Sequence, residues 1–492
     1  MRITLCLSAL ALALAAASAA CSEDKPAPLD ATTADGGTDA GGATLETPSS
    51  ACTNPSDSVY GDPGALAPDV NARGAIVKCA KEPDLTKEAM QAKLTELGSA
   101  GKPLSSNARV YRISYRTERG DTAGTPSVSS ALVYIPDTPR ADKIPIVVAA
   151  RGSRGQAERC AVTKFDAALE GINGDAWRMV YPLVGYGYAV ILPDLAGYAN
   201  FGAAGNPPSA YAQASDVARS TLDGARALKK LFPALDDKVV LVGHSQGGHS
   251  ALSALALAES YGTAAPIVGA AVYAPLWLSQ RSWGAVLYEP VGKTYKLAES
   301  SVGAISVWYH YTQAELLDGP GAGRKMFAAD KQDAVEAFVK NECWGSTELS
   351  KVATYAHELF DPTFVSEISL PAAAGGECSA EICQRWVDRY IADRPHLTGA
   401  AATTPILLAY GLKDTTIPPN RMKCALDRLD QDNAKLTTCI EPEQSHGGIV
   451  SARGEYVADW IASVALGGAA PAACTANETA ITEECATPPP ND

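Results

Sequence analysis

Short apolar runs alternate with amphipathic stretches through the middle of the chain. Such runs, almost free of polar residues, are typical of β-strands that helices cover on both faces. The clearest of them are Pro145–Ala150, Tyr188–Pro193, Lys238–Gly243, Val268–Tyr273 and Pro405–Tyr410. Between the second and the third run, Ala212–Lys230 places its apolar residues at helical spacing. The pattern predicts an α/β fold with a mostly parallel central sheet flanked by helices.

Weaker patterns extend this sheet at both ends. Val110–Tyr115 and Ser130–Ile135 precede the first buried run and are predicted to be antiparallel strands. Leu436–Glu441 follows the last run as a further strand, and Ser451–Ala465 follows it as a closing helix.

A long interval separates two parts of the predicted core, residues 51–275 and 403–468. It spans about 130 residues without a strand of the sheet, far longer than an ordinary connection. Helical patterns occur within it at Lys331–Asn341, Glu348–Glu358 and Glu381–Ala392. Tryptophans also occur there, at Trp277, Trp283, Trp308, Trp344 and Trp386. We predict an inserted helical cap over residues 276–402, whose tryptophans either wall an apolar pocket or pack the core of the cap itself.

The first twenty residues have the character of an export signal. Arg2 supplies a positive charge, and Leu5–Ala17 is an apolar stretch too short to span a bilayer. The segment Ser18–Cys21 (SAAC) resembles the bacterial lipobox, in which the cysteine is acylated, although cleavage at a site of small residues is the alternative. Residues 22–50 contain almost no large apolar side chain, so we expect a disordered tether over 21–50. A signal peptide over 1–20 and a lipid anchor at Cys21 would place the protein at the outer membrane or cell surface; without the anchor it would be secreted.

Cysteine usage agrees with export. Besides Cys6 and Cys21 there are ten cysteines, an even number: Cys52, Cys79, Cys160, Cys343, Cys378, Cys383, Cys424, Cys439, Cys474 and Cys485. In an oxidising compartment they predict up to five disulfides. The pairs closest along the chain are candidates, namely Cys378/Cys383, Cys424/Cys439 and Cys474/Cys485, but the sequence leaves the connectivity open. Without a C-x-x-C pair or an H-E-x-x-H motif, a zinc site is not favoured.

The overall charge excludes one class of partner. The formal net charge is −14, from 41 basic and 55 acidic side chains. Nucleic-acid binding requires a basic surface, so a nucleic-acid partner is not expected. Part of the negative charge lies in the predicted tether and in the C-terminal tail, residues 469–492.

The sharpest local signal is a G-x-S-x-G motif, Gly243–Gly247 (GHSQG). It directly follows the buried run Lys238–Gly243 and directly precedes a helical pattern. Strand, turn and helix in this order are the context in which a nucleophilic serine occupies a strained turn. Glycine is needed at the two flanking positions because a side chain there would clash with the turn. The motif therefore predicts Ser245 as a nucleophile.

A serine hydroxyl requires a base, and the base requires an orienting acid. His446 lies in a loop between the last strand and the last helix, where the order Ser…Asp…His places the base. Asp414 directly follows the strand Pro405–Tyr410 in the segment GLKDTTIP. The alternatives are an exposed loop histidine and, for Asp414, a turn or cap before a helix over 419–431.

A tetrahedral oxyanion on the substrate would require two backbone N–H donors. One is predicted at Gln246, directly after the nucleophile. The other is predicted at Ser153, in the loop Arg151–Gly155 (RGSRG) that follows the strand Pro145–Ala150. A plain turn explains the glycines of that loop equally well.

These segments resemble the secretory lipase (lipase A-like) family of α/β-hydrolases. The similar segments are G-H-S-Q-G-G after a strand, G-L-K-D-T-T-I-P, the histidine before the closing helix, R-G-S-R-G with Cys160 and Ala161 downstream, L-P-D-L-A-G-Y around Asp194, and the helix with L-D-G-A-R-A-L. The likeness covers roughly residues 105–465, and Arg151 stands where relatives typically have histidine. It implies hydrolysis of carboxylic esters, acylglycerols among them, without a cofactor.

The expected activity is acyl transfer through a covalent intermediate on Ser245, with a small-molecule or lipid ester as substrate. A serine peptidase of the same fold would use the same residues and would also need an anchor for a peptide terminus, for which Glu315 and Glu336 are candidates. A non-catalytic surface-binding protein on this scaffold is the third alternative, although such proteins often lack a member of the triad.

Overall fold

The structure is a computed structural model that describes residue 45 and residues 47–99, 101–164, 174–198, 207–278, 296–299, 301–369, 378, 380–474 and 478–485. All of these fall within the larger of two units of the chain, Gly42–Asp492. The predicted signal peptide, the acylation site Cys21 and most of the predicted tether lie outside the described residues. The end of that tether contacts the fold, since the Ser49 N–H donates to the Leu231 carbonyl at 2.8 Å.

A nine-stranded sheet organises the described part of the chain. Its strands are β1 (Ile76–Leu85), β2 (Ala108–Glu118), β3 (Pro126–Pro136), β4 (Ile146–Ala150), β5 (Ala189–Ala196), β6 (Val239–His244), β7 (Ile267–Tyr273), β8 (Ile406–Gly411) and β9 (Leu436–Glu441). Their order across the sheet is β1-β2-β3-β5-β4-β6-β7-β8-β9. The pairs from β1 to β5 are antiparallel, and every pair from β5 to β9 is parallel. The predicted fold class is confirmed, including its antiparallel beginning.

The helices of the described residues are α1 (Lys87–Glu96), α2 (Gly174–Gly185), α3 (Ala214–Leu231), α4 (Gln246–Tyr261), α5 (Val302–Leu317), α6 (Gln332–Asn341), α7 (Glu381–Ala392), α8 (Gly399–Thr403), α9 (Pro419–Gln431) and α10 (Gly448–Ala465). A short helical turn, Pro362–Phe364, continues as a π-helical turn, Val365–Ser369. Where the structure describes the chain, no helix combines the length and apolar character needed to cross a membrane.

Two layers of helices cover the sheet. α3 and α4 pack against each other and both contact β4, while α3 also contacts β2 and β5, and α4 contacts β6 and β7. α2 and α10 form a second pair, in which α2 contacts β3, β4 and β5, and α10 contacts β6, β7 and β8. Every residue of β4, β5 and β6 is buried, as expected for strands between two helical layers. These central strands fix the position of the loops that follow them.

The insertion between β7 and β8 contains α5 to α8. α5 is buried at every position except Glu315 and Leu317. It therefore has no polar stripe to mark a helical period, which explains why the sequence pattern does not reveal it. α6 and α7 confirm the helices predicted over Lys331–Asn341 and Glu381–Ala392.

The helix predicted over Glu348–Glu358 is wrong. Two 3-10 turns occur there instead, Glu348–Lys351 and Ala356–Leu359. The Glu358 carboxylate accepts the backbone N–H groups of Thr354 and Tyr355 at 2.8 and 3.0 Å. This side chain satisfies the donors at the start of a new turn, so the first turn ends instead of continuing as a helix.

Two of the described tryptophans of the insertion, Trp308 and Trp386, pack against other aromatic rings of the insertion. Trp308 and Trp386 are fully buried. The Trp386 ring lies 5.0 Å from the ring of His310, which is also buried. Trp277 is buried as well, whereas Trp344 is only partly buried, and Trp283 lies outside the described residues. The packing alternative therefore accounts for Trp308 and Trp386, whereas Trp344 contacts Trp308, with ring centres 6.2 Å apart, but remains partly exposed.

One buried carboxylate joins the insertion to the core. Asp393, directly after α7, accepts the Tyr309 hydroxyl and the Gln313 amide of α5 at 2.7 and 2.5 Å. It also accepts the Ala214 N–H at the start of α3 at 2.8 Å, and its backbone carbonyl lies 2.5 Å from His249 Nε2 of α4. Burial raises the pKa of Asp393 to about 7. A single residue thus links two cap helices to two core helices.

All ten remaining cysteines form disulfides, as predicted. The pairs are Cys52–Cys79, Cys160–Cys343, Cys378–Cys383, Cys424–Cys485 and Cys439–Cys474. The candidate pairs Cys424/Cys439 and Cys474/Cys485 are wrong. The tail runs back to contact β9, which brings each of its cysteines to a partner in the core instead of to the other.

The longest covalent loop generates a prediction about stability. Cys160–Cys343 joins the segment after β4 to the segment after α6, and its two cysteines are 183 residues apart in the sequence. The cysteines of Cys378–Cys383 are only 5 residues apart. Loop-closure entropy then predicts a loss of about 5 kcal/mol in the free energy of unfolding for Cys160→Ala/Cys343→Ala and about 2 kcal/mol for Cys378→Ala/Cys383→Ala. Urea unfolding monitored by circular dichroism measures both. An equal or smaller loss for the first pair would show that this bond does not constrain the unfolded chain.

Candidate active site

The loops that follow the parallel strands meet at the edge of the sheet formed by the C-terminal ends of those strands. Gly152 and Ser153 follow β4, Ser245 follows β6, Asp414 follows β8 and His446 follows β9. In open α/β sheets this edge is where ligands bind. The structure therefore brings the residues that the sequence singled out to the same end of the sheet.

Ser245 occupies a strained turn between β6 and α4. Its backbone has φ 55° and ψ −119°, a conformation that residues with a side chain rarely adopt. Its N–H donates to the Tyr273 carbonyl at 2.9 Å, and its carbonyl accepts the Leu276 N–H at 2.9 Å. Two hydrogen bonds to the end of β7 and the loop after it thus hold the strained residue in place.

Glycine is required on both sides of this turn. A Cβ atom on Gly247 would lie 1.9 Å from the Ala150 carbonyl oxygen, and one on Gly243 would lie 2.1 Å from the Gly247 carbonyl oxygen. Both contacts are with backbone, which cannot move aside as a flexible side chain can. The G-x-S-x-G pattern therefore has the steric cause expected of it.

Asp414 and His446 form a hydrogen-bonded pair. The His446 Nδ1 atom lies 2.7 Å from Asp414 Oδ2. The other oxygen, Oδ1, accepts the N–H groups of Thr416 and Ile417 at 2.9 and 2.8 Å. The two interpretations of Asp414 are thus combined in one residue, because one oxygen forms the turn and the other fixes the imidazole.

Ser245 and His446 line the same cavity, which has a volume of about 250 Å³. Its walls also include Gly152, Ser153, Gly174, Asp175, Arg178, His244, Trp344 and Thr416. Asp414 is buried behind His446 and does not line the cavity. The arrangement gives a serine and an oriented imidazole access to one small space.

Burial governs the protonation of His446. Removal from solvent lowers the pKa of the imidazole, and this outweighs the hydrogen bond to Asp414, which raises it. The pKa of His446 is therefore below the usual value of about 6.5, and the ring is neutral at pH 7. A neutral imidazole with Nδ1–H bonded to a carboxylate leaves Nε2 as a proton acceptor.

Of the two predicted oxyanion donors, Ser153 lines the cavity, and Gln246 directly follows the cavity residue Ser245. Gln246 begins α4, and N–H groups at the start of a helix have no intrahelical partner and lie at the positive end of its dipole. Ser153 lines the cavity, and its hydroxyl is 2.6 Å from the Tyr211 hydroxyl. The neighbouring Gly152 N–H donates instead to Asp175 Oδ2 at 2.8 Å. The Gly152 N–H therefore already has a hydrogen-bond acceptor within the protein.

Arg151 fastens the loop after β4 to the turn. Its guanidinium donates to the Gln246 Oε1 atom at 3.1 Å and to the Asp194 carbonyl at 3.0 Å, and it lies 4.9 Å from the centre of the Tyr198 ring. The residue is buried. The arginine at this position therefore positions Gln246, the residue after Ser245.

Asp175, at the start of α2, is a residue of the site that the sequence does not predict. Its carboxylate pairs with the Arg154 guanidinium, accepts the Gly152 N–H and lies 3.0 Å from His244 Nδ1. The His244 Nε2 atom in turn lies 3.0 Å from the His446 carbonyl oxygen. Burial acts to raise the pKa of Asp175, but Arg154 and His244 outweigh it and hold the pKa well below its usual range. Asp175 precedes no recognisable motif, so only the fold reveals its position.

The other described histidines are placed away from this chemistry. His249 and His310 are buried, and burial lowers the pKa of His249 to about 4 and that of His310 to about 3. His396 is on the surface, 2.7 Å from Asp432. Within the residues that the structure describes, no group of three or more His, Cys, Asp or Glu side chains is arranged to hold a metal ion.

The comparison with family models gives one match. The model of the alpha/beta hydrolase family matches residues 171–438. The match includes Ser245 and Asp414 and ends before His446. No curated protein matches the sequence.

Solved structures share the fold at low sequence identity. A presumed hydrolase from Legionella pneumophila subsp. pneumophila has 16% identity and a TM-score of 0.61 over 79% of this chain and 98% of its own. The rice cell wall degrading esterase LipA from Xanthomonas oryzae has 19% identity and a TM-score of 0.57 over 80% and 97%. Candida antarctica lipase A has 19% identity and a TM-score of 0.57 over 80% and 82%. These matches confirm the fold and the resemblance to lipase A-like proteins.

The geometry predicts that Ser245 is selectively reactive. A fluorophosphonate probe attacks serines that a neighbouring base activates, so we expect it to label the wild type at Ser245 and to leave Ser245→Ala unlabelled. Mass spectrometry of peptides from the labelled protein measures this.

Ser253 supplies the matched control. It is equally buried on α4, and its hydroxyl has no hydrogen-bond partner among the described residues, so Ser253→Ala is expected to label like the wild type. Labelling that persists in Ser245→Ala would contradict the assignment.

Proposed function

Because this chain belongs to the alpha/beta hydrolase family, we propose that it is a serine hydrolase that cleaves carboxylic esters through an acyl-enzyme on Ser245. The observation that carries the proposal is the placement of His446. Its Nδ1 side is fixed by Asp414, and its ring lines the cavity that Ser245 also lines. The bonded pair of His446 and Asp414 and the cavity that His446 shares with Ser245 support the roles of base, orienting acid and nucleophile.

The first half of the reaction acylates the enzyme. Ser245 Oγ attacks the ester carbonyl carbon while His446 Nε2 takes the hydroxyl proton. The carbonyl oxygen becomes an oxyanion, which the N–H groups of Gln246 and Ser153 stabilise. The C–O bond to the alcohol breaks, and the proton on His446 passes to the departing oxygen. Asp414 keeps the imidazole in the correct tautomer and stabilises its positive charge.

The second half releases the acid. Water gives a proton to His446 and attacks the acyl carbon, and the resulting oxyanion uses the same two donors. Collapse breaks the bond to Ser245 Oγ, which recovers its proton from His446. Water is the only co-reactant, so no cofactor enters the reaction.

The cavity favours small esters over long acyl chains. Its volume of about 250 Å³ is below the range of roughly 300–1,000 Å³ that is common for ligand sites. Trp344 is the only large apolar side chain in its described wall. Small-molecule esters with short acyl groups are therefore the substrates we propose.

A peptidase is the weaker alternative. Glu336, one of its two candidate anchors, pairs with Arg324 and with Lys340. The other, Glu315, accepts two backbone N–H groups of the loop after α5. Neither residue lines the cavity, so neither offers a carboxylate to a peptide terminus there.

We further propose that the enzyme works outside the cytoplasm. Five disulfides indicate an oxidising compartment. A signal peptide over 1–20 and acylation of Cys21 would then hold the catalytic domain at a membrane surface. Metabolic labelling with a clickable palmitate, compared between wild type and Cys21→Ala, tests the anchor.

Hydrolysis of p-nitrophenyl acetate, octanoate and palmitate tests the activity. We expect kcat/KM to fall from acetate to palmitate because the cavity is small. Ser245→Ala should lose on the order of 10⁶ in kcat, since the serine and its base act as a unit. Ser253→Ala should retain wild-type rates. If the wild type and Ser245→Ala are equally inert on all three esters, the proposed function is wrong.

The pH profile tests the base. Because His446 acts when neutral and its pKa is lowered, kcat/KM should rise with pH to a plateau with a midpoint below about 6.5. Asp414→Asn removes the interaction that raises this pKa, so its midpoint should lie lower still, and its kcat should fall by on the order of 10⁴.

Asp427→Asn is the control for that profile. Asp427 pairs with Lys423 on the outer helix α9 and does not line the cavity, so its variant should reproduce the wild-type profile. A midpoint above 7 in the wild type would contradict the assignment of His446 as the base.

A further inference from the structure

Arg178 places a positive charge in the wall of the cavity that Ser245 and His446 share. It lies on α2, one helical turn after Asp175. Its Nη1 atom is 3.5 Å from the position that a Cβ atom on Gly174 would take and 3.4 Å from the corresponding position on Gly447. The end of the guanidinium therefore lies between the start of α2 and the residue that follows His446.

The hydrogen bonds of Arg178 leave this end unused. Nε and Nη2 both donate to a single acceptor, the Leu97 carbonyl, at 3.2 and 3.0 Å. Among the described residues, Nη1 has no hydrogen-bond partner, and no carboxylate lies within ion-pair distance of the guanidinium. The side chain is partly buried. Within the described part of the chain, this cation has lost part of its hydration without gaining a counter-charge.

Asp175, the acid nearest to Arg178 along α2, forms its polar contacts with other groups. The Asp175 carboxylate pairs with Arg154, lies 3.0 Å from His244 Nδ1 and accepts the Gly152 N–H. Asp414 is bonded to His446 and to backbone N–H groups of its own turn. The two described acids beside the cavity thus have their own partners, so no described carboxylate neutralises the charge on Arg178.

We propose that Arg178 binds a carboxylate of the substrate, so that the enzyme prefers small esters that carry a carboxylate near the scissile bond. This inference rests on the proposed ester hydrolysis. A guanidinium presents parallel N–H donors that match a carboxylate, and charge-assisted hydrogen bonds of this type are stronger than neutral ones. The small volume of the cavity, with Arg178 in its wall, fits such a substrate better than it fits a long aliphatic chain.

Two matched pairs of esters test the preference. Monoethyl succinate is compared with ethyl 4-methylpentanoate, in which an isopropyl group replaces the carboxylate on the acyl side. 4-Acetoxybenzoate is compared with 4-isopropylphenyl acetate, which makes the same replacement on the alcohol side. For at least one pair, we expect the wild type to have the higher kcat/KM on the anionic ester.

Variants assign the preference to Arg178. In Arg178→Gln the ratio of kcat/KM for the anionic over the neutral ester should fall by on the order of 10- to 100-fold, and Arg178→Lys should keep part of it. Arg140→Gln is the control, because it removes the same charge from a residue paired with Asp459 outside the cavity. It should leave the ratio unchanged. If Arg178 served only to bind Leu97, both esters of a pair would lose the same factor.

The outcomes separate the inference from the function on which it rests. Ser245-dependent hydrolysis with a ratio that Arg178→Gln leaves unchanged overturns the role of Arg178 and keeps the esterase. No Ser245-dependent hydrolysis of any of the four esters overturns both. If Arg178→Gln does not fold, the wild type alone tests the inference. A preference for an anionic ester that falls at 1 M NaCl supports the inference, and the lack of a preference in either pair overturns it.

Discussion

The turn at Ser245 is possible only because three segments of backbone touch where side chains would otherwise lie. Gly247 lies against the end of β4, and Gly243 lies against Gly247 itself, at separations that exclude a Cβ atom. This contact lets α4 begin directly at the sheet, which in turn places the helix N-terminus beside the nucleophile. The positive φ of Ser245 is a local cost that the hydrogen bonds to Tyr273 and Leu276 offset. The turn and the strand end before it supply two residues of the cavity wall, Ser245 and His244.

A second constraint, the set of polar contacts of Asp175, holds the neighbouring loops in place beside the turn. The Asp175 carboxylate contacts the loop after β4 through Gly152 and Arg154 and contacts the residue before Ser245 through His244. His244 then reaches the backbone of His446. A buried carboxylate with this many partners is expensive to disturb, because the loss of one partner leaves uncompensated charge in a medium of low dielectric. The loop of the predicted oxyanion donor, the nucleophile and the base therefore share one electrostatic support.

The features that the sequence could predict are those with a local or periodic cause. The buried strands and the G-x-S-x-G turn depend on near neighbours, and Asp414 and His446 follow their strands directly. The features it could not predict depend on the fold bringing distant segments together. α5 is apolar on all sides and lacks a visible period, while Asp175 and Arg178 acquire meaning only when α2 docks beside loops from elsewhere in the chain. The charge and the spacing of residues along the chain do not predict such contacts between distant segments.

The nesting of the two C-terminal disulfides, one loop inside the other, bears on how the chain reaches its native state. Cys424 and Cys439 are closer along the chain to each other than to their native partners, which lie 61 and 35 residues away. Closure of a short loop costs less entropy, so random oxidation of the unfolded chain favours the non-native pair. Thiol–disulfide exchange must then exchange partners before the tail can dock against β9. The protein is thus expected to depend on an isomerase in its compartment of folding, and simple air oxidation of a reduced chain would trap mispaired species.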